Sequence, residues 1–151
     1  MSTMPPAQSF PPAEVVDDPS LVAPEPPITP ETRAFWDATL EGKLLMRRCR
    51  ACGEPIWYPR PICPFCHSDD TVWEQVSGRG TIYSFSVVRR GAGRFAAESP
   101  YVLAYVELDE GPRVMTNIVD CALDDLTIGH PVQVVFHKAG EGAALPRFRL
   151  A

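Results

Sequence analysis

The sequence lacks the features that would place it in a membrane or mark it for export. It contains no run of about 18 consecutive apolar residues, which a helix needs to cross a bilayer. It also has no basic start followed by an unbroken apolar stretch, which a secretory signal peptide requires. We therefore expect a cytoplasmic protein whose cysteines stay reduced.

Positive charge is also scarce. The 14 Lys and Arg residues are outnumbered by 19 Asp and Glu residues, and the net charge is −5. Four of the acidic residues lie within the first 28 positions, so the rest of the chain holds 15 acidic and 14 basic residues. A protein that grips nucleic acid through its phosphates normally carries a strongly basic domain. The charge balance therefore opposes that class.

Motifs that would name a reaction are missing as well. There is no GxSxG, no Walker-type phosphate loop and no HExxH. Cys121 ends a predicted strand, where a small buried residue is expected, and His130 lies in a turn before Pro131. His137 lies in an apolar strand, where a structural histidine is commoner than a catalytic one. We expect no catalytic residue in this chain, and no chemistry from the chain alone.

The first 28 residues form a proline-rich segment. They contain eight of the 17 prolines and no Lys or Arg. Proline removes backbone donors and blocks helices, so the segment cannot build a core of its own. We interpret residues 1–28 as a disordered or extended arm. The alternative is an arm that orders on a partner, using the apolar residues Phe10, Val15, Val16, Leu21 and Val22.

Four of the five cysteines form two pairs with metal-ligand spacing. Cys49-x2-Cys52 and Cys63-x2-Cys66 are separated by ten residues. Two such turns supply the four thiolates of a tetrahedral structural zinc site. Iron accepts the same donor set, and the adjacent His67 is an alternative ligand. Because four protein ligands leave no position for water, we expect a structural metal and not a catalytic one.

A helix is predicted over residues 29–42, ahead of the cysteines. Thr29 would cap it, Pro30 would occupy its first position, and Glu31 would favour its positive end. Phe35 and Trp36 are its large aromatic residues. Two interpretations are open: these rings pack on the protein's own core, or they offer an apolar patch to another subunit.

The remainder of the chain alternates between apolar and polar residues, as strands do. Residues 43–76 carry short strands on both sides of the cysteines, which makes this segment the predicted zinc ribbon. Residues 77–151 hold about five alternating segments joined by short turns. They predict a small β-barrel or sandwich, and five strands with Greek-key closure would be an OB fold.

The longest irregular connection in that region is the glycine-rich loop 90–100. Loops on a rigid scaffold often carry function. Arg89, Arg90 and Arg94 are interpreted either as a solvated surface or as a docking site for a phosphate-bearing ligand or an acidic partner. Phe95 and Tyr101 are candidate contacts beside them.

From about Phe35 to Phe148 the sequence resembles a family of zinc-ribbon and OB-fold proteins that accompany thiolase-like acyl-CoA enzymes. That family was long labelled a domain of unknown function. The matching stretches are FWDATLEGKLLMRRCRACG, WYPRPICPFC, WEQVSGRGTIYSFSVV, PYVLAYVELDEG and IGHPVQVVF. The long proline-rich start and the lack of a fused hydratase-like domain depart from some relatives.

The resemblance implies a mainly β protein with an N-terminal helical arm, a rubredoxin-like zinc ribbon and a five-stranded OB-fold barrel. It implies a non-catalytic accessory subunit that docks a thiolase-like aldolase, thiolase or acyltransferase of lipid or steroid metabolism. One structural zinc would be held by Cys49, Cys52, Cys63 and Cys66. The candidate partner or acyl-CoA contacts are Phe35, Trp36, Arg89, Arg90, Arg94, Phe95 and Tyr101.

Two alternatives from other classes remain open at this point. The barrel could bind acyl-CoA on its own, with Arg89, Arg90 and Arg94 on the phosphates. It could instead bind single-stranded nucleic acid by stacking bases on Tyr83, Phe85, Tyr101 and Tyr105. The near-neutral folded region makes nucleic acid the weaker alternative.

Overall fold

The computed structural model describes residues 7–151. They form a small ribbon sheet and a closed barrel, and one α-helix that precedes the ribbon in the chain packs against both. In chain order the elements are β1 (Val15–Val16), α1 (Arg33–Leu40), β2 (Leu44–Cys49), β3 (Pro55–Ile56), β4 (Thr71–Val76), β5 (Arg79–Val88), β6 (Tyr101–Leu108), β7 (Arg113–Ile118), β8 (Pro131–Ala139) and β9 (Ala143–Leu150). Strands β3, β2 and β4 form the ribbon sheet. No helix of the described residues is long and apolar enough to cross a membrane.

Five strands close the barrel in the order β8-β5-β6-β7-β9, with β9 pairing back to β8. The β7–β9 pair is parallel and the other pairs are antiparallel. This closure confirms the predicted OB fold. The alternation of residues along β6 determines which face of the strand points into the barrel. The buried residues are Val102, Ala104, Val106 and Leu108, and the residues between them face outward.

Two local features shape strand β5. A Cβ on Gly80 would collide with the carbonyl oxygen of Glu107, so only glycine allows β5 and β6 to approach here. The ladder then shifts between Ile82 and Ser84, which leaves Tyr83 as the extra residue of a β-bulge. Such a bulge reorients a side chain, and the Tyr83 ring is exposed on the outer surface.

Helix α1 is shorter than predicted and its aromatic residues are buried. It begins at Arg33 and not at Thr29. Residues 29–32 form a separate turn, in which the N–H groups of Thr32 and Arg33 both donate to the Thr29 carbonyl, at 3.1 Å and 2.9 Å. Phe35 and Trp36 are 1% and 6% exposed and belong to the barrel core. The interpretation as an exposed apolar patch is therefore wrong for this helix, because α1 packs against β9 and β2.

A buried hydroxyl fixes α1 to the barrel. Thr39 is fully buried, and its Oγ1 donates to the Trp36 carbonyl at 2.6 Å. The same oxygen accepts the Ala144 N–H of β9 at 3.0 Å. Because a buried N–H without an acceptor is costly, this hydroxyl sets the position of the helix on the barrel.

The proline-rich arm lies on the barrel from residue 7 onward; residues 1–6 fall outside the described residues. Where the sequence predicts a disordered or extended arm, residues 7–28 are extended except for a turn in which the Leu21 N–H donates to the Asp18 carbonyl at 3.1 Å. Strand β1 pairs in parallel with β8, and the Phe136 N–H donates to the Glu14 carbonyl at 3.0 Å. The segment needs no core of its own, because its main chain adds to an existing sheet edge.

Side chains of the folded part also hold the arm by its backbone. The Gln75 amide accepts the Phe10 N–H at 3.2 Å and donates to the Phe10 carbonyl at 3.0 Å. Further along, Glu98 accepts the Val22 N–H at 3.1 Å, and Arg147 donates to the Val22 carbonyl at 2.6 Å. The arm is therefore held through its backbone at Phe10 and at Val22, on either side of the turn at residues 18–21.

Candidate metal centre and adjoining surfaces

The four paired cysteines lie on two turns of matching geometry. In the first turn the Gly53 N–H donates to the Cys49 carbonyl at 2.9 Å, and in the second the His67 N–H donates to the Cys63 carbonyl at 2.9 Å. Gly53 and His67 both have positive φ, at 80° and 63°. The glycine is free of strain there. The repeated turn explains why the sequence spacing brings both pairs together.

The sulfur positions suit one tetrahedral ion. All four Sγ atoms lie within 4.8 Å of one another. The Cys49–Cys66 and Cys52–Cys63 sulfurs are 3.6 Å and 3.7 Å apart. A tetrahedron with zinc–sulfur bonds of about 2.3 Å has sulfur–sulfur edges of about 3.8 Å. A disulfide would need about 2.05 Å, so the geometry fits a metal site and not a pair of disulfides.

The pKa values of these thiols show that the cluster does not hold four thiolates without a cation. The backbone N–H of Cys52, together with that of Ala51, lowers the pKa of Cys49 to about 7. At Cys52 the backbone N–H of Glu54 acts downward, but desolvation and the neighbouring thiols raise the pKa to about 12. Four adjacent thiolates repel one another, and a divalent metal supplies the positive charge that keeps them deprotonated.

His67, which the sequence leaves open as a fifth candidate, is not among the four clustered donors. It occupies the positive-φ position that follows Cys66, and its side chain is exposed. The four cysteines alone therefore make up the candidate metal centre. Zinc suits a closed set of four thiolates, and such a site keeps no open position for substrate.

The ribbon has little else to hold it together. Its separate buried cluster consists of Cys49, Ile56 and Cys63, of which only Ile56 is a large apolar residue. At the surface Arg48 binds Glu74 at 2.6 Å, and the ion pair is only partly exposed. A metal bound by the four cysteines would tie the two turns together, which otherwise share this small cluster and surface contacts such as Arg50 with Asp70 at 2.9 Å.

Loop 90–100 and the preceding Arg89 expose the predicted basic residues to solvent. Arg89, Arg90 and Arg94 are exposed, and none of them forms an ion pair within residues 7–151. Phe95 packs against Tyr101 with ring centroids 5.8 Å apart. The structure thus brings Arg94, Phe95 and Tyr101 to one region of the barrel, whereas it places Phe35 and Trp36 in the core.

One hydroxyl braces that loop. The Ser99 Oγ accepts the Gly91 N–H at 2.6 Å and donates to the Phe95 carbonyl at 3.2 Å. Glu98, the neighbour of Ser99, holds the arm as described above. The arginines are therefore carried by a loop with a defined shape, and this shape depends in part on the docked arm.

Sequence reasoning missed a buried polar pair on β8 and β9. Arg147 is 7% exposed, and its guanidinium donates to Nδ1 of His137 at 2.8 Å. His137 therefore carries its proton on Nε2, and burial followed by the charge of Arg147 lowers its pKa. The only sequence signal is an arginine at an inward position of the closing strand, and its meaning depends on the barrel register.

Cys121 lines a cavity of about 220 Å³ next to this pair, with Tyr101 and Leu123. Burial, and then the charges of Asp125 and Asp120, raise the pKa of the Cys121 thiol. A thiol with a raised pKa is a poor nucleophile. The position therefore agrees with a structural role for this cysteine.

Fold and site together define a zinc-ribbon protein with an OB-fold barrel. Two family models match the chain. Residues 36–72 match the rubredoxin-like zinc ribbon domain of ChsH2, and residues 73–137 match the C-terminal OB-fold domain of ChsH2. The chain belongs to the ChsH2 family, whose members are also described as DUF35 proteins.

The alignments with related proteins cover different shares of this chain and of the relatives. A DUF35 domain-containing scaffold protein of Methanocaldococcus jannaschii is 41% identical over 96 residues, which is 62% of this chain and 67% of the relative. A probable enoyl-CoA hydratase alpha subunit of Thermomonospora curvata is 37% identical over 133 residues. That alignment covers 88% of this chain but only 41% of the relative. The benzoylsuccinyl-CoA thiolase subunit BbsA of Geobacter metallireducens is 35% identical over 71 residues, 47% of each chain.

Solved structures agree with this assignment. A chain of the Ltp2-ChsH2(DUF35) aldolase superposes with a TM-score of 0.73 at 36% identity, covering 83% of this chain and 98% of that chain. A DUF35 protein from Sulfolobus solfataricus superposes with a TM-score of 0.59 at 11% identity over 81% of this chain and 86% of that chain. The second match concerns the fold alone.

Proposed function

We propose that this chain is a non-catalytic, zinc-containing accessory subunit of a thiolase-like acyl-CoA enzyme. The observation that carries the proposal is the match over 98% of a chain in the Ltp2-ChsH2(DUF35) aldolase, at 36% identity. Relatives described as thiolase subunits support the same role. The chain docks the partner and helps shape the partner's acyl-CoA site.

The metal has a structural role in this proposal. One zinc ion per chain is held by Cys49, Cys52, Cys63 and Cys66, and it orders the ribbon between β2 and β4. Because all four ligands come from the protein, the ion supplies no reactive position. The catalytic groups belong to the partner.

The basic loop is the proposed contribution to the acyl-CoA site. Coenzyme A carries a pyrophosphate and a 3′-phosphate, and guanidinium groups bind phosphate through charge-assisted hydrogen bonds. Arg89, Arg90 and Arg94 are exposed and have no carboxylate partner within the described residues. The Phe95–Tyr101 ring pair offers an apolar surface beside them.

Co-expression tests the subunit role. The chain is expressed with each thiolase-like protein encoded in the same genome, and size-exclusion peaks are analysed for protein and zinc. We expect a stable complex with one zinc per copy of this chain and higher activity than the partner has alone. The subunit role would be refuted if this chain stays monomeric in every mixture and every thiolase-like protein is fully active without it.

A loop variant separates docking from site shaping. Arg89→Gln, Arg90→Gln and Arg94→Gln are combined in one chain, while Arg60→Gln serves as control because Arg60 is also exposed and forms no ion pair in the described chain. Loss of phosphate contacts worth about 1.4 kcal/mol raises KM for acyl-CoA about tenfold. The complex should remain intact. An unchanged KM would exclude the loop from the site.

The same arginines support a second candidate function, in which the isolated chain binds acyl-CoA directly. Calorimetry with the chain alone distinguishes the two. Heat of binding that disappears in the triple variant supports direct binding. No heat with any acyl-CoA removes this candidate and leaves the subunit role as it stands.

A further inference from the structure

The outer surface of strands β5, β6 and β7 carries a patch of exposed apolar side chains, here called the barrel face. It consists of Tyr83, Leu103, Tyr105 and Met115, which are 47%, 40%, 46% and 63% exposed. These are half of the eight large apolar side chains that are exposed among residues 7–151. Single exposed apolar residues are ordinary, but a group of four on one sheet face is not.

The strand register makes the barrel face continuous. Tyr105 on β6 lies directly opposite Met115 on β7. Leu103 precedes Tyr105 by two positions and so projects from the same side of β6. On the other flank Ser84 pairs with Tyr105, and the bulged Tyr83 lies beside it. The four side chains therefore span three neighbouring strands of a rigid sheet.

The charges at the edge of the barrel face cancel. Arg113 stacks on the Tyr83 ring with its guanidinium carbon 3.7 Å from the centroid. The same guanidinium donates to Glu107 at 2.9 Å, so its charge is already paired. A phosphate-bearing occupant would need free positive charge at this place. Aromatic residues, Met and Arg are instead the residues enriched at the centre of protein interfaces.

The surface extends from the barrel face toward the zinc ribbon. A groove of about 470 Å³ runs between the ribbon and the β6–β7 hairpin, with Trp57 and Phe65 on the ribbon side and Arg113 on the barrel side. Arg113 thus lies between the groove, which it lines, and the barrel face, where it stacks on Tyr83. A stable complex buries about 800 Å² on each partner. The four side chains of the barrel face fall short of this area, so the contact has to extend across the adjoining groove and beyond it.

We propose that the barrel face and the adjoining groove dock the thiolase-like subunit, with Tyr105 and Met115 at the centre of the contact. This assignment rests on the proposed function, since it names the surface by which that partner is held. The occupant is a protein surface, because the barrel face has no unpaired cation to offer a polyanion and the groove adds the carboxylates Glu54 and Glu110. Placement on paired strands makes the site preorganised, so little ordering opposes binding.

The test introduces charge at the centre of the barrel face. Met115→Glu and Met115→Lys are compared with Ile62→Glu, which changes an exposed isoleucine of the ribbon that does not line the groove. Each variant is checked for unfolding midpoint and zinc content, then mixed with the partner. We expect both Met115 variants to raise the dissociation constant of the complex at least tenfold. The Ile62→Glu variant should bind the partner as tightly as the unmodified chain does. Using both signs of charge separates loss of apolar contact from simple repulsion.

The other outcomes overturn the assignment in distinguishable ways. If the unmodified chain and every variant bind the partner equally, the surface is wrong and the proposed function stands. If the unmodified chain binds no thiolase-like protein, both fall. If the unmodified chain associates with itself and Met115→Glu abolishes this association, the occupant of the barrel face is a second copy of the chain. If the chain shifts an oligonucleotide in a salt-sensitive way and the Met115 variants weaken the shift, the occupant is a nucleic acid.

Discussion

Replacement of one metal ligand should unfold the part of the ribbon around the cysteines and leave the barrel folded. Cys52→Ser keeps the size of the side chain but removes one of the four sulfurs that lie within 4.8 Å of one another. A serine hydroxyl stays protonated at neutral pH and is a poor ligand for zinc. We expect the variant to lose its metal.

The size of the effect follows from how little apolar surface the ribbon buries. Ile56 is the one large apolar side chain in the separate ribbon cluster, and its burial contributes about 1.5–3 kcal/mol. A structural zinc contributes about 10–16 kcal/mol at neutral pH. The metal therefore dominates the stability of residues 49–70. Leu44, Met46 and Val76 belong to the barrel core. The ends of β2 and β4 that lie away from the cysteines should therefore stay paired.

Metal analysis combined with hydrogen exchange tests this expectation. Amides of residues 49–70 should lose protection in Cys52→Ser, while those of β6 and β7 keep it. Cys121→Ser is the matched control, since it removes the one cysteine outside the cluster. A Cys52→Ser chain that retains its zinc and its ribbon protection would refute the reasoning, as would an equal zinc loss in Cys121→Ser.

Three further perturbations address the core and the arm. Thr39→Val strands the buried Ala144 N–H and should destabilise the fold by about 1–3 kcal/mol in chemical unfolding, more than Thr39→Ser, which keeps both hydrogen bonds. Burial and then a nearby guanidinium lower the pKa of His137 below 6.5, so the unfolded chain takes up the proton first and stability should fall as the pH drops below this value. Thermal midpoints between about pH 7.5 and 5.5 should show a shallower slope in His137→Gln. Gly42→Ala should free the arm to proteolysis, because its Cβ would collide with the arm backbone, whereas Gly129→Ala, also at positive φ, meets open space and should not.

Local signals allowed most of the fold to be predicted from the sequence. The alternation of residues 101–108 follows from the period of a strand, and the short strands expected on both sides of the cysteines are β2 and β4. The metal centre was equally accessible, because the i, i+3 spacing of Cys49 and Cys52 recurs in the second pair. Each of these features depends on neighbours within a few positions in the chain.

Features that depend on distant partners could not be predicted in the same way. The prolines show that residues 1–28 cannot form a core, but they do not show that β8 offers an edge to which β1 can add. The helix start at Arg33 likewise depends on packing, because no side chain caps it and its position follows the contact of Thr39 with β9. The buried Arg147–His137 contact exists only once the register of β8 and β9 is known.

These differences change where an interaction with a partner is to be sought. With Phe35 and Trp36 in the core, the short helix has no aromatic surface left to offer, whereas the barrel exposes several large apolar side chains. Tyr83 and Tyr105, which the sequence suggests as base-stacking residues, do lie exposed on one sheet face. Arg113, the cation that would have to hold a phosphate there, is paired with Glu107. Two of the four suggested stacking residues thus share this face, whereas Phe85 packs against the core. The paired charge supports the proposed docking of a protein there over the binding of a nucleic acid.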